Sequence, residues 1–254
     1  MRHIVLGVSL GFSGSAGQGQ LRLCLLGGFG LLRENERIPL SMPSQRLLAL
    51  LGLDPNRSVP RSFVAGTLWP EVAESAARSN LRSALSRLGP HRNSLVESTL
   101  EVLKLRSSVG VDLQERRELC RFLLDPSRDG GGVLPDLFAA DILPDWNDVW
   151  VEPERESYRQ LRLHALETLS EDLVGEARFG EALEAGLIAV SAAPLRETAH
   201  RTVIRALLAE GNRGEAFGHY QRLRDLLYEQ LGVEPSFRLE EALEKASARP
   251  SKSR

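Results

Sequence analysis

Lysine is nearly missing from this chain of 254 residues. Lys104, Lys245 and Lys252 are its only lysines, so 29 of its 32 Lys+Arg residues are arginine. None of the three sits in a GxxxxGK[ST] context, which excludes that phosphate loop. Cysteine is almost as scarce. Cys24 and Cys120 make neither a disulfide framework nor a CxxC pair, and favour a reducing compartment. Aromatic residues are 6% of the chain. No run of eighteen apolar residues exists, so no transmembrane helix is expected. HExxH and GxSxG are absent too, and the five histidines are scattered. His164 and His200 lie on predicted helices without a ligand partner at i+4. No catalytic residue, metal site or cofactor is expected. Glu152, Glu154 and Glu156 read as a solvated helix N-terminus, favoured by the macrodipole.

What remains is globular, with 42% hydrophobic and 26% charged residues, enough for one large core or two ordinary ones. The 45 Leu outnumber the 16 Val and 5 Ile together, so helix should outweigh strand. The formal charge of -2 argues by itself against nucleic acid, but it is an average. Residues 21–112 hold 12 Lys+Arg against 8 Asp+Glu, and residues 113–254 hold 19 against 26. Such asymmetry points to different partners for the two halves.

The first half reads as strands, then helices. Leu21–Leu26 and Phe29–Leu32 read as strands, Arg33–Arg37 as a charged turn, and Ile38–Leu40 as the strand closing a small sheet. Helices follow over Gln45–Leu53, Arg61–Leu68 and from Glu74 or Ser75 to Leu88, punctuated by Asp54-Pro55-Asn56, Trp69-Pro70 and Gly89-Pro90. Short strands near Ser94–Glu97 and Leu100–Leu105, turning at Ser98-Thr99, complete a winged-helix plan. Residues 125–145 are coil-rich and separate the halves or interrupt the second.

The second half is helical. Glu152–Leu173 is long and amphipathic. Ala177-x-Phe179-x-x-Ala182-x-x-x-Gly186-x-x-Ala189 then recurs as Gly211-x-Arg213-x-x-Ala216-x-x-x-Tyr220-x-x-Leu223. The offset is 34 residues, the period of tetratricopeptide helix pairs. The fold class is therefore an α+β N-terminal winged helix followed by an all-α tetratricopeptide-like helical repeat domain. Its expected divisions are an N-terminal extension at 1–20, a winged helix at 21–112, a helical domain at 113–246 and a disordered tail at 247–254. The first residues also resemble a weak signal peptide, but a flexible extension or an early start codon is the favoured reading.

The third helix carries the functional signal. On a helical wheel Ala77, Leu81, Ala84, Leu85 and Leu88 share one stripe. Ser75, Ser79, Arg82, Ser83 and Ser86 lie opposite, flanked by Arg87, with Arg78 and Asn80 on the shoulders. No acidic residue occurs from Ser75 to Leu88. Small hydroxyls allow close approach, and Arg and Asn can donate to phosphates and read base edges, so this face suits a major groove. An ordinary solvated face is the alternative. In the hairpin, Lys104 and Arg106 can reach phosphates, against the repulsion of Glu97 and Glu101. Arg46 either binds phosphate or pairs with an acidic neighbour.

These residues resemble the SARP-type bacterial transcriptional regulators, which join an OmpR-like winged helix to a bacterial transcriptional activator domain (BTAD). The stretches that carry the likeness are Leu21-Arg-Leu-Cys-Leu-Leu-Gly-Gly-Phe29, Gln45-Arg-Leu-Leu-Ala-Leu-Leu51, Val64-Ala-Gly-Thr-Leu-Trp-Pro70, Asn80–Leu88 and Val111-Asp-Leu113. In the second half they are Leu143-Pro-Asp-Trp146, Asp148-Val-Trp150, Glu152–Leu169, Pro194-Leu-Arg-Glu197, Tyr220 and Leu231-Gly-Val-Glu-Pro235. The resemblance implies a sequence-specific activator that recruits RNA polymerase to promoters. It implies double-stranded promoter DNA as partner, a homodimer on direct repeats, and a cytoplasmic, nucleoid-associated protein without membrane contact. Ser79, Asn80, Arg82 and Ser83 become base-facing, with Ser75 beside them, and Arg78 and Arg87 phosphate-facing. The loop Pro70, Glu71, Val72, Ala73 and Glu74 becomes a polymerase contact. The family's Gly-Tyr-Arg-Leu-like wing strand is replaced here by Glu101-Val-Leu-Lys-Leu105. Larger relatives append an ATPase, whose phosphate loop is not found here. A tetratricopeptide-type scaffold with a degenerate winged helix is the second reading, and an enzyme with an unrecognised site the third.

Overall fold

The computed structural model describes residues 20–128 and 132–239. The expected tail at 247–254, and all of the expected extension but Gln20, lie outside them. The described residues pack as two units: 20–116 with 140–158, and 117–128 and 132–139 with 159–239.

The first unit opens with β1 (Leu21–Cys24), β2 (Gly30–Arg33) and β3 (Glu36–Arg37). Leu21 and Leu23 alternate with Arg22 along β1, so one face is buried and the other is wet. β3 falls on the charged segment rather than on Ile38–Leu40. Glu34 and Asn35 take positive φ of 50° and 70°. They form a two-residue turn that pairs Arg33 with Glu36, so the return strand starts earlier than the apolar pattern suggests. Ile38 still donates its N–H to the Leu31 carbonyl at 2.8 Å.

The helices α1 (Met42–Leu53), α2 (Arg61–Leu68) and α3 (Glu74–Ser86) follow, with β4 (Val59–Pro60) between the first two. Gly52 lets α1 press on the sheet: a Cβ there would stand 2.5 Å from Leu23 Cδ2. A short helix α4 (Arg92–Leu95) leads into β5 (Val96–Ser98) and β6 (Val102–Leu105). The hairpin turns at Thr99–Glu101, one residue later than the sequence suggests. There Thr99 Oγ1 accepts the N–H groups of Glu101 and Val102 at 3.2 and 3.1 Å. The strand orders are β4-β6-β5 in one sheet and β3-β2-β1-β7 in the other, where β7 (Gly110–Val111) runs parallel to β1.

Asp112 opens α5 (Asp112–Leu124), a helix the sequence reading does not include. Its carboxylate accepts the N–H groups of Leu25 (2.8 Å), Leu26 (3.2 Å) and Leu113 (2.7 Å). Burial pushes this carboxyl above its usual value, and those three donors offset part of the effect. The segment 140–158 completes the same core. Ile142 bridges Leu26, and Leu143 donates to the Leu25 carbonyl at 2.9 Å. Trp146 stacks on Phe29 at 5.9 Å and meets Trp150 edge-on at 6.3 Å. Arg155 donates to the Ile142 and Trp146 carbonyls, both at 2.7 Å, and to that of Leu143, which takes a left-handed φ of 43°.

The second unit holds most of α6 (Glu152–Gly175), then α7 (Phe179–Ala192), α8 (Glu197–Glu210) and α9 (Arg213–Leu231). The starts of α7 and α9 lie at the 34-residue offset of the repeat. Gly186 is the point of close approach between α7 and α8. A Cβ there would meet Val203 Cγ2 at 2.8 Å and the Val203 backbone nitrogen at 3.3 Å. Arg196 donates from Nε to Glu167 Oε1 at 2.7 Å, and Thr198 Oγ1 donates to the same oxygen at 2.6 Å. Between α8 and α9, His200 Nδ1 and His219 Nε2 lie 3.0 Å apart, and His200 Nε2 is 2.8 Å from the Pro194 carbonyl. Spacing along one helix leaves His200 alone; its partner is 19 residues away on the next.

Candidate nucleic-acid interface

The candidate interface is built on α3. Its apolar stripe behaves as the wheel predicts: Ala77, Leu81, Ala84, Leu85 and Leu88 are all buried. Two contacts hold it against α1. The buried stripe packs into the common core, and the buried Ser44 hydroxyl donates to the Ala84 carbonyl at 3.0 Å. With that face fixed, the opposite one is presented to solvent. Ser75, Arg78, Ser79, Arg82, Ser83, Ser86 and Arg87 are exposed, and Asn80 is half-buried on the shoulder.

The arginines differ in how far they are engaged. Arg78 pairs with Glu74 one turn earlier, both exposed, so the pair contributes little and can be exchanged for a phosphate. Arg46, left open between two roles, is ion-paired with Asp148, which also accepts Trp150 Nε1 at 3.0 Å. Its side chain is three-quarters covered, so it belongs to the packing of the first unit rather than to the exposed α3 face.

The hairpin stands beside α3. Arg106 donates to the Asn93 carbonyl and lies 3.8 Å from Glu97, while Lys104 is half-buried directly across from Glu97 in the strand register. Both cations therefore face the acid that the sequence reading set against them. The tip is apolar instead: Leu100 is 98% exposed. Arg61, at the start of α2, fixes that tip. Its backbone N–H donates to the Glu101 carbonyl at 2.8 Å, and its Nη1 to Ser98 Oγ at 2.9 Å and the Thr99 carbonyl at 3.1 Å. Sequence reading missed Arg61 and Arg92. They lie 31 positions apart on different elements, and only the fold brings them near α3. The loop Pro70, Glu71, Val72, Ala73 and Glu74 is exposed throughout, with Val72 its apolar member. Among the described residues no three His, Cys, Asp or Glu side chains gather as a metal site, and no helix is long and apolar enough to cross a membrane.

The first unit is thus a winged helix whose third helix is free of acid from Ser75 onward, and a helical-repeat unit follows it. Comparisons with known proteins find relatives of this arrangement. The family model for the bacterial transcriptional activator domain matches residues 135–246. The chain is 27% identical over 240 residues to the regulatory protein AfsR of Streptomyces coelicolor, covering 88% of this chain and 24% of that protein. It is 27% identical over 229 residues to AfsR of Streptomyces griseus, covering 85% and 23%. The chain thus spans about a quarter of the length of these curated relatives. Among solved structures it shares its fold with Mycobacterium tuberculosis EmbR, a structure containing a low-affinity phosphopeptide. The TM-score is 0.69 at 21% identity, over 90% of this chain and 65% of that one. Over residues 135–246 the chain is similar to the bacterial transcriptional activator domain, and over most of its length to the AfsR regulators.

Proposed function

We propose that this chain is a transcriptional regulator of the SARP type, a sequence-specific DNA-binding activator that recruits RNA polymerase to promoters. The observation that carries the reading is the exposed face of α3 from Ser75 onward, free of acid and edged by arginine in a chain with 34 acidic residues. Ser79, Asn80, Arg82 and Ser83 meet base edges in the major groove, with Ser75 beside them. Arg78 and Arg87 meet flanking phosphates, and Lys104 and Arg106 add weak contacts from the hairpin. The exposed loop Pro70–Glu74 touches polymerase, and two copies sit side by side on direct repeats. The protein works on promoter DNA in the cytoplasm. The winged helix at 21–112 and the activator domain at 113–246 divide these tasks between them.

Genomic capture with the purified full chain tests this directly. The expected result is enrichment of a few promoter fragments carrying a direct repeat, lost in Arg82→Ala at moderate salt. Retention of no fragment over background refutes DNA reading and leaves the helical unit as a protein-binding scaffold.

A further inference from the structure

Beside α3 lies an open cleft of about 910 Å³ between the start of α2, α4 and the β5–β6 hairpin. Four arginines line it from three elements, Arg61 on α2, Arg78 and Arg82 on α3 and Arg92 on α4, with Ser98 and Thr99 at the hairpin and Glu101 as its one acidic member. Glu74 pairs with Arg78, and the other three guanidinium groups repel one another unless something neutralises them. Among the described residues, Arg82 and Arg92 have no hydrogen-bonded or ion-paired acceptor, in contrast to Arg46, Arg78 and Arg106. Arg61 spends one nitrogen on Ser98 and Thr99 and keeps the others without a protein acceptor. Burial, and then the like charges of Arg92 and Arg82, push its guanidinium below the usual value. Apart from Glu74 on Arg78, the described residues supply no counter-charge that binds this gathered positive charge.

The missing partner is an anion able to accept from several guanidinium groups at once. A phosphate oxygen set does so in the fork geometry that arginine favours. Arg82 belongs both to this cleft and to the exposed face of α3, so an anion here lies next to whatever α3 reads.

We propose that this cleft seats one phosphodiester group of the DNA backbone, held by Arg61 and Arg92, with Arg82 joining the seat to α3. The inference rests on the DNA-reading proposal above. It adds two residues to the interface, and it makes Arg61 a positioning residue as well as a ligand. Its tie to Ser98 and Thr99 sets the hairpin tip, including Leu100, relative to the seated phosphate.

The test is fluorescence anisotropy of the full chain on a captured promoter duplex and on a scrambled one, from about 50 to 200 mM salt. Arg92→Ala leaves the hairpin tie intact and is the clean variant. It should weaken binding to both duplexes by the same factor and flatten the log–log salt slope by roughly one. Arg61→Ala combined with Arg92→Ala should flatten the slope by about one in total rather than two, because both hold the same phosphate. Glu101→Gln should tighten both duplexes alike. A salt slope unchanged in Arg92→Ala, with wild-type binding intact, overturns the seat while leaving the DNA-reading proposal standing. So does an Arg92→Ala loss confined to the promoter duplex, which would mean base reading. Saturable binding of inorganic phosphate at fixed ionic strength, abolished in Arg92→Ala without DNA present, assigns the cleft to a free phosphate group and also overturns the seat. If the wild type binds neither duplex, the DNA-reading proposal falls first and takes the seat with it. Unfolding curves matching wild type exclude a folding defect as the cause of any loss.

Discussion

At the scale of single residues, several motif positions hold the fold rather than meet a ligand. Asp112 accepts three backbone N–H groups where β1 ends and α5 begins. Asp112→Ala leaves the Leu25 and Leu26 donors without that acceptor, and should cost about 2–3 kcal/mol in urea unfolding. The buried pair His200–His219 makes a prediction with a sign. Burial, then the positive charges of His200 and Arg222, push His219 down to about 4. Burial also lowers His200, partly offset by the Pro194 carbonyl and by Glu197. An unfolded imidazole titrates near 6.5, so between that pH and about 4 the unfolded chain binds more protons than the folded one. The stability of the neutral pair is complete above pH 6.5 and declines as the pH falls towards 4. Denaturant midpoints measured across that window should drop less steeply for His219→Gln than for wild type. Equal slopes would remove the pair from the acid response.

At the scale of elements, helix contacts can be probed one seam at a time. Gly186→Val places a branched side chain where a single carbon already falls 2.8 Å from Val203. It should separate α7 from α8 at a cost of about 1–3 kcal/mol, read as a lower thermal midpoint. The α3 face was legible because a 3.6-residue period forces its apolar positions into one stripe, leaving the polar ones opposite. The α7–α9 repeat was legible because its 34-residue offset keeps small residues at Ala177 and Gly211 and at Ala182 and Ala216. α5 was not legible: Arg117 is buried among its inward residues, so its apolar pattern is broken. The third strand shifted because the turn at Glu34-Asn35 outweighed the apolar cue of Ile38–Leu40. The Arg61–Arg92 cleft and the His200–His219 pair are long-range juxtapositions, and local spacing carries no trace of them.

At the scale of the whole molecule, charge and packing divide the chain differently. The first half carries the positive balance and the second the negative one, so total charge understates the attraction of the winged helix for a polyanion. Non-specific DNA affinity should still be weak and steeply salt-dependent, and tight promoter binding should require two protomers. A titration on one direct-repeat half-site against two checks this: cooperative gain on the second half-site is expected. The packing units are interleaved, with 140–158 returning to the first. A fragment ending at residue 112 loses the buried side chains of Ile142, Leu143, Trp146, Val151 and Tyr158. At about 1.5–3 kcal/mol each, their loss rivals the whole stability of a small domain. Residues 20–112 alone should show no cooperative unfolding transition, whereas 20–158 should regain it.

That returning segment also bears on how such a protein can be inherited. A recombination event that joined a foreign winged helix at residue 112 would bring Phe29's replacement together with a Trp146 shaped for a different neighbour, and Arg46's replacement with an unmatched Asp148. The exchangeable piece is therefore not the winged helix by itself. It is the winged helix plus the opening of the segment that follows, which ties the two halves to a shared ancestry.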